Sequence, residues 1–211
     1  MEPTDLLTRL ADRRLLAIVR GSDPDAALDT VLTLVGSGID LVEVSLTTAD
    51  ALGVIERAAT VLGPHAALGA GTVLTTADAR RAASAGAVFA VTPGVTDAVG
   101  EARALGLPVL AGAMTPTEVA AALVEGATAV KLFPAGLGGP AHLRALRDPF
   151  PEVAFVPVGG VDAAAARDYL AAGALAVGVG GPLIGRAASA PDREGLRERI
   201  AAFRALAGES R

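Results

Sequence analysis

The chain predicts an α/β fold, a (β/α)8 TIM barrel with an extra N-terminal helix, formed as one domain over residues 1–211, and three observations carry that expectation. First, one unit recurs: a polar N-cap, an alanine-rich amphipathic stretch, a glycine, then a short apolar run closing on Gly, Thr or Pro. Second, the glycines ahead of those runs are Gly38, Gly63, Gly86, Gly106, Gly126 and Gly173, spaced 25, 23, 20, 20 and 47 residues apart. The last gap is two units, with the missing boundary near Pro149 to Pro151. Third, strict alternation of helix and strand with short connections requires parallel strands joined by right-handed crossovers. A doubly wound open sheet is the alternative, but a flavodoxin-like one needs only five strands.

Taken in order, Thr4 to Arg13 forms a helix able to cover the lower mouth, and Leu15 to Arg20 is the first strand. Asp23 starts the next helix, to Val35, as a residue suited to capping, and Leu41 to Leu46 is the second strand. The third and fourth strands are Ala66 to Thr72 and Val88 to Thr92, separated by a helix over Thr76 to Ala85. Val109 to Ala113, a helix over Thr115 to Val124, and Ala129 to Phe133 follow. Ala154 to Val158, a helix over Asp162 to Ala171, and Ala176 to Val179 complete the eight.

Composition narrows the function. With 211 residues, 52% of them hydrophobic, there is enough chain for one good core and too little for two. A net charge of −5 and 3% aromatic residues argue against nucleic acid, which needs a basic stripe and stacking platforms. The acidic start and the short apolar stretch Leu15 to Val19 do not suit a signal peptide, and the uncharged run Tyr169 to Gly185 is too glycine-rich for a membrane helix. A cytoplasmic protein with a small-molecule partner is expected. Zero cysteines, with His65 and His142 as the only histidines, leave little for a metal site, and none is expected.

Among 18 Lys plus Arg there is a single lysine, Lys131, inside the apolar run Ala129 to Pro134. Lysine loses its proton when desolvated and can then attack a carbonyl; arginine cannot. In a closed barrel, charged residues within strands mark the interior. Lys131 shares its parity with Ala129 and Phe133, and Glu43 has the corresponding inward parity against Val42, Val44 and Leu46. The second and sixth strands lie opposite each other, so the two side chains converge on the pore. At an ordinary pKa only about one lysine in 2,500 is neutral at pH 7, and a downward shift of about 3 units frees about half. Glu43 opposes that shift, so desolvation must win or a nearby arginine such as Arg20 must offset the carboxylate. The competing expectation is a buried ion pair without chemistry.

Two glycine segments end the last strands, Val158-Gly159-Gly160-Val161-Asp162 and Val179-Gly180-Gly181-Pro182. On a barrel's upper face such loops cradle phosphate with exposed backbone N–H groups, although glycines also serve tight turns. They do not fit the dinucleotide fingerprint. Gly69-Ala70-Gly71-Thr72 and Thr92-Pro93-Gly94 add small residues and hydroxyls for a polar cup.

The series Leu41-Val42-Glu43-Val44, Gly69 to Val73, Thr92-Pro93-Gly94, Lys131-Leu132-Phe133-Pro134 and Pro157 to Val161 resembles the family of 2-dehydro-3-deoxy-6-phosphogluconate (KDPG) and 4-hydroxy-2-oxoglutarate (KHG) aldolases. That resemblance implies a class I aldolase without cofactor, a homotrimer, releasing pyruvate and glyceraldehyde 3-phosphate from a phosphorylated 2-keto-3-deoxy sugar acid in Entner–Doudoroff metabolism. It implies that Lys131 forms the Schiff base, that Glu43 is acid and base, that Thr72 and Pro93 border pyruvate, and that Gly159, Gly160, Gly180 and Gly181 hold phosphate. Three positions depart from the family pattern. Thr47 stands where many members carry arginine, and Arg20 is expected to take that role. Val158 replaces a common threonine, which tilts toward the galactonate epimer or broad stereoselectivity, and Gly181 replaces a common serine. An epimerase or synthase barrel without an imine, a non-catalytic sugar phosphate binder, and a metal-dependent aldolase are the alternatives.

Overall fold

Each expected apolar run folds as a strand, and its side chains divide between two cores. The computed structural model describes residues 1–63 and 67–208, so His65 and Ala66, the expected first residue of the third strand, lie outside the described residues. The strands are β1 (Leu15–Val19), β2 (Leu41–Ser45), β3 (Ala67–Gly71), β4 (Phe89–Val91), β5 (Val109–Ala113), β6 (Ala129–Leu132), β7 (Phe155–Pro157) and β8 (Val177–Val179). All neighbours pair in parallel, in the order β7-β6-β5-β4-β3-β2-β1-β8. A parallel bridge between Val158 and Gly178, with Leu175 N–H donating to Phe155 O at 2.9 Å, brings the two ends together into a barrel.

The helices are α1 (Pro3–Arg13), α2 (Pro24–Gly36), α3 (Ala51–Leu62), α4 (Thr76–Ser84), α5 (Asp97–Ala104), α6 (Pro116–Val124), α7 (Gly139–Arg147), α8 (Ala163–Ala171), α9 (Gly181–Ile184) and α10 (Arg193–Gly208). Polar starts act as expected, one residue earlier than the helix proper. Asp23 accepts from the N–H groups of Asp25 and Ala26, and Asp162 from that of Ala165. Thr75 and Thr115 form reciprocal capping boxes with Asp78 and Glu118. The short α9 begins within the glycine segment after β8, and α10 is the helix that completes the eighth unit of the barrel.

Outward side chains such as Val42, Val44, Val130 and Leu132 pack beneath the helices. Inward Leu16, Leu41, Phe89, Leu110, Ala129 and Val156 form a separate inner core, which Leu6 and Leu10 of α1 join. The first helix therefore plugs the lower mouth, and full burial of each leucine contributes roughly 1.5–3 kcal/mol.

Strand β3 sends no side chain of its own into the upper barrel. A Cβ at Gly69 would lie 2.3 Å from the Phe89 ring, and one at Gly71 would lie 1.7 Å from Glu43 Oε1. The two glycines leave the space that Phe89 and Glu43 fill. Arg20, Thr72, Phe133 and Gly180 each sit one residue past the end of a strand, and Val158 sits just past β7. Several strands thus end a residue sooner than expected, and the residues just past their ends line the upper mouth.

Candidate active site

A cavity of about 470 Å³ opens at the C-terminal end of the barrel. The residues expected to act on or bind the substrate line it: Lys131, Glu43, Arg20, Thr72, Pro93 and Val158, with Gly159, Gly160, Gly180 and Gly181, whereas Gly69, Gly71, Thr92 and Gly94 of the expected polar cup do not. Apolar Ile18, Phe133, Val161 and Ile184 make up much of the remaining wall.

Lys131 is 5% exposed and Glu43 1%, so both are essentially dry. Burial pushes the Lys131 ammonium down from its ordinary value; Glu43 opposes this and Arg20 adds to it. Burial likewise pushes the Glu43 carboxyl up, against the fields of Lys131 and Arg20. Desolvation is the dominant cause for both groups. An ammonium beside a carboxylate and an amine beside a carboxylic acid hold the same number of protons, and burial shifts the balance toward the second, uncharged arrangement. That arrangement supplies a nucleophile and an acid together. The Phe133 ring, its centroid 5.0 Å from Lys131 Nζ, acts in the other direction, toward the ammonium. Glu43 Oε2 is buried with no hydrogen-bond partner among the described residues.

Thr72 adopts φ 59, a left-handed conformation that is costly for a β-branched residue. Its hydroxyl lies 2.8 Å from that of Ser45, which lies 2.8 Å from that of Thr47. Ser45 is fully buried and ties the two threonines together. Sequence reasoning missed Ser45, although it has the same inward parity as Glu43. The Thr92 hydroxyl expected in the polar cup is engaged elsewhere: it donates to Gly94 O at 2.7 Å and accepts from Gly112 N–H at 3.3 Å. Thr92 thus fixes the turn that presents Pro93. A Cβ at Gly112 would lie 2.2 Å from the Pro93 backbone, so that turn also depends on a bare neighbour in β5.

Gly159 and Gly160 have φ of 90 and 76, which glycine adopts readily, and their loop folds over the mouth beside Phe133. Beside it, past the end of the neighbouring β8, Gly180 is the N-cap of α9 and Gly181 its first residue. The guanidinium of Arg20 forms no ion pair among the described residues and borders the same cavity. No group of three or more His, Cys, Asp or Glu suited to a metal ion occurs among the described residues.

Comparison with known proteins agrees with this geometry. The family model for KDPG and KHG aldolase matches residues 6–196. A probable 2-dehydro-3-deoxy-6-phosphogalactonate aldolase of Rhizobium meliloti is 36% identical over 200 residues, covering 93% of this chain and 94% of its own. A native KDPGal structure superposes with a TM-score of 0.87 at 32% identity, over 93% of this chain and 95% of the other. The KDPG aldolase of Legionella pneumophila, solved with pyruvate captured as a covalent carbinolamine, superposes at 0.81 with 26% identity, over 98% and 97% of the two chains. Matched from the plug helix to the start of the last helix, the chain belongs to the KDPG and KHG aldolase family.

Proposed function

We propose that this protein is a class I aldolase that cleaves 2-dehydro-3-deoxy-6-phosphogluconate to pyruvate and glyceraldehyde 3-phosphate through an imine on Lys131. The observation that carries this reading is the chain's sole lysine, held dry and depressed in pKa, facing the same cavity as a carboxyl raised in pKa. The neutral Nζ adds to the C2 ketone to give a carbinolamine. Glu43 then gives its proton to the departing hydroxyl, and water leaves behind an iminium ion. The Glu43 carboxylate takes the C4 hydroxyl proton as the C3–C4 electron pair moves toward the iminium, releasing the aldehyde. Glu43 returns that proton to C3 of the enamine, and water restores pyruvate and the amine.

Arg20 and the Thr72 hydroxyl bind the pyruvate carboxylate in this reading, Pro93 borders pyruvate, and the N–H groups of Gly159, Gly160, Gly180 and Gly181 hold the phosphate. A second reading, cleavage of the galactonate epimer, is supported by Val158, which offers no hydroxyl to the sugar chain, and by the relative from Rhizobium meliloti. KHG is a further substrate. The protein acts as one domain over residues 1–211, as a homotrimer in the cytoplasm, in Entner–Doudoroff metabolism. No helix among the described residues is long and apolar enough to cross a membrane.

Incubation with pyruvate and borohydride, followed by intact mass, tests the imine. One adduct is expected on the parent and none on Lys131→Arg, the Met1 α-amino group being the only other primary amine. An adduct-free parent that still cleaves the sugar acid, or a Lys131→Arg variant with substantial turnover, overturns this reading in favour of a barrel enzyme without an imine. Mass in solution tests the trimer.

A further inference from the structure

The wall of the cavity that ends β8 is held from behind by the last helix. Arg199 of α10 donates from Nε to Leu183 O at 2.8 Å, and from Nη2 to Ile184 O at 3.0 Å and Asp192 Oδ2 at 2.9 Å. Leu183 and Ile184 are the last residues of α9, whose carbonyls lack donors within so short a helix. Two glycines make room for this arrangement. A Cβ at Gly185 would lie 2.8 Å from Nη2, and one at Gly195 would lie 2.6 Å from Asp192 Oδ1 and 2.9 Å from Nη1.

A four-residue helix has little stability of its own, because nucleation fixes several dihedrals for each hydrogen bond gained. Its position is therefore set by what grips it. The segment gripped by Arg199 also supplies Gly180, Gly181, Pro182, Ile184 and Gly185 to the cavity. Unlike Lys131 and Glu43, these residues lie on the loop assigned to the phosphate end of the substrate.

We infer that Arg199, oriented by Asp192, is a positioning residue that fixes the Gly180–Gly181 wall and so sets the preference for phosphorylated over unphosphorylated substrates. The inference rests on the phosphate reading of the glycine loops given above. Two other arginines provide a comparison within the same chain. Arg204 donates to Ser37 O at 2.9 Å, at the end of α2, and Arg147 donates to Ala172 O at 3.2 Å, at the end of α8. Each lies against a glycine, Gly38 and Gly173, as Arg199 does against Gly185. Neither Ser37 nor Ala172 lines the cavity.

The test compares steady-state cleavage of the phosphorylated sugar acid with that of KHG, which has no phosphate, and adds inhibition by inorganic phosphate. In Arg199→Ala, the KM for the phosphorylated substrate and the inhibition constant for inorganic phosphate should each rise about tenfold, the scale of one lost polar contact to a charged ligand. KM and kcat for KHG should stay within about twofold, because uniform binding through the phosphate is the only thing removed. Arg199→Lys should fall between parent and alanine variant, since one ammonium cannot reproduce the planar fork, and it carries the test if the alanine variant does not fold. Arg204→Ala should lower the melting temperature without changing the substrate ratio. Equal losses on both substrates, or a phosphate preference that survives at Arg199→Ala and Arg199→Lys, overturn the positioning role alone. A parent that neither prefers the phosphorylated substrate nor responds to inorganic phosphate removes the phosphate reading and this inference with it.

Discussion

Substituting Gly71 by alanine isolates the contribution of the Glu43 carboxyl without touching the residue itself. The added Cβ would sit 1.7 Å from Glu43 Oε1, 2.3 Å from Cδ and 2.5 Å from Cγ. Ordinary carbon contacts are about 3.5 Å, so the carboxyl must retreat by about 1.8 Å or swing away. A misplacement of about 1 Å costs on the order of 10²-fold in rate, and loss of an acid–base group costs about 10² to 10⁴. Gly71 is not among the positive-φ glycines, so alanine adds no backbone strain there. The expected result is a kcat about 10²- to 10³-fold lower in a pyruvate-release assay, with cooperative thermal unfolding retained. Pyruvate should still be trapped by borohydride, since Lys131 keeps its place. A Gly71→Ala enzyme that keeps kcat within about threefold of the parent would refute the assignment of proton transfer to Glu43.

Other perturbations follow from the same pair. The folded pKa of Lys131 is below its ordinary 10.5, so burying the ammonium costs stability in full below the folded value, and the cost declines as pH rises and disappears above 10.5. The folded pKa of Glu43 is above its ordinary 4.5, so its contribution is most favourable below 4.5 and is lost as pH rises through the folded value. The double variant Lys131→Met with Glu43→Gln should therefore resist urea at neutral pH by about 1–4 kcal/mol more than the parent; equal or lower stability contradicts a desolvation-dominated site. The rate of borohydride trapping at low pyruvate should rise with pH with a midpoint below 10.5, whereas a midpoint at 10.5 would mean a solvated amine. Val158→Thr should raise the ratio of gluconate to galactonate cleavage several-fold, about 1 kcal/mol for one new hydrogen bond; an unchanged ratio removes Val158 from epimer choice.

Much of the site was legible because barrel geometry turns strand parity into direction. Lys131 and Glu43 broke apolar strands at inward positions, and that alone brought them to one cavity. The glycines of β3 read from sequence as small residues of a polar cup, but the side chains that fill the space beside them do not, because Phe89 and Glu43 reach in from neighbouring strands and only the register places them there. Thr92 misled because a hydroxyl's partner cannot be read from its type: Gly112 is 20 residues away. Ser45 was overlooked as an ordinary strand residue, and its link to Thr72 spans 27 residues. The Arg199 clamp was invisible for the same reason. Its acceptors lie 15 and 16 residues earlier, and nothing in a surface arginine's local sequence says which carbonyl it will meet.

The barrel's seam has an evolutionary corollary. Val158 is at once the tooth that meets Gly178 across the last junction and a wall of the substrate cavity. A Cβ at Gly178 would lie 2.5 Å from Val158 Cγ2, so the branched side chain at 158 and the bare backbone at 178 are fitted to each other. If position 158 reads the sugar chain, lineages drifting toward a new stereochemistry can exchange valine for threonine, whose outline is the same, but bulkier solutions must renegotiate the zipper itself. On that reading the need to keep the cylinder shut confines selectivity to a narrow alphabet.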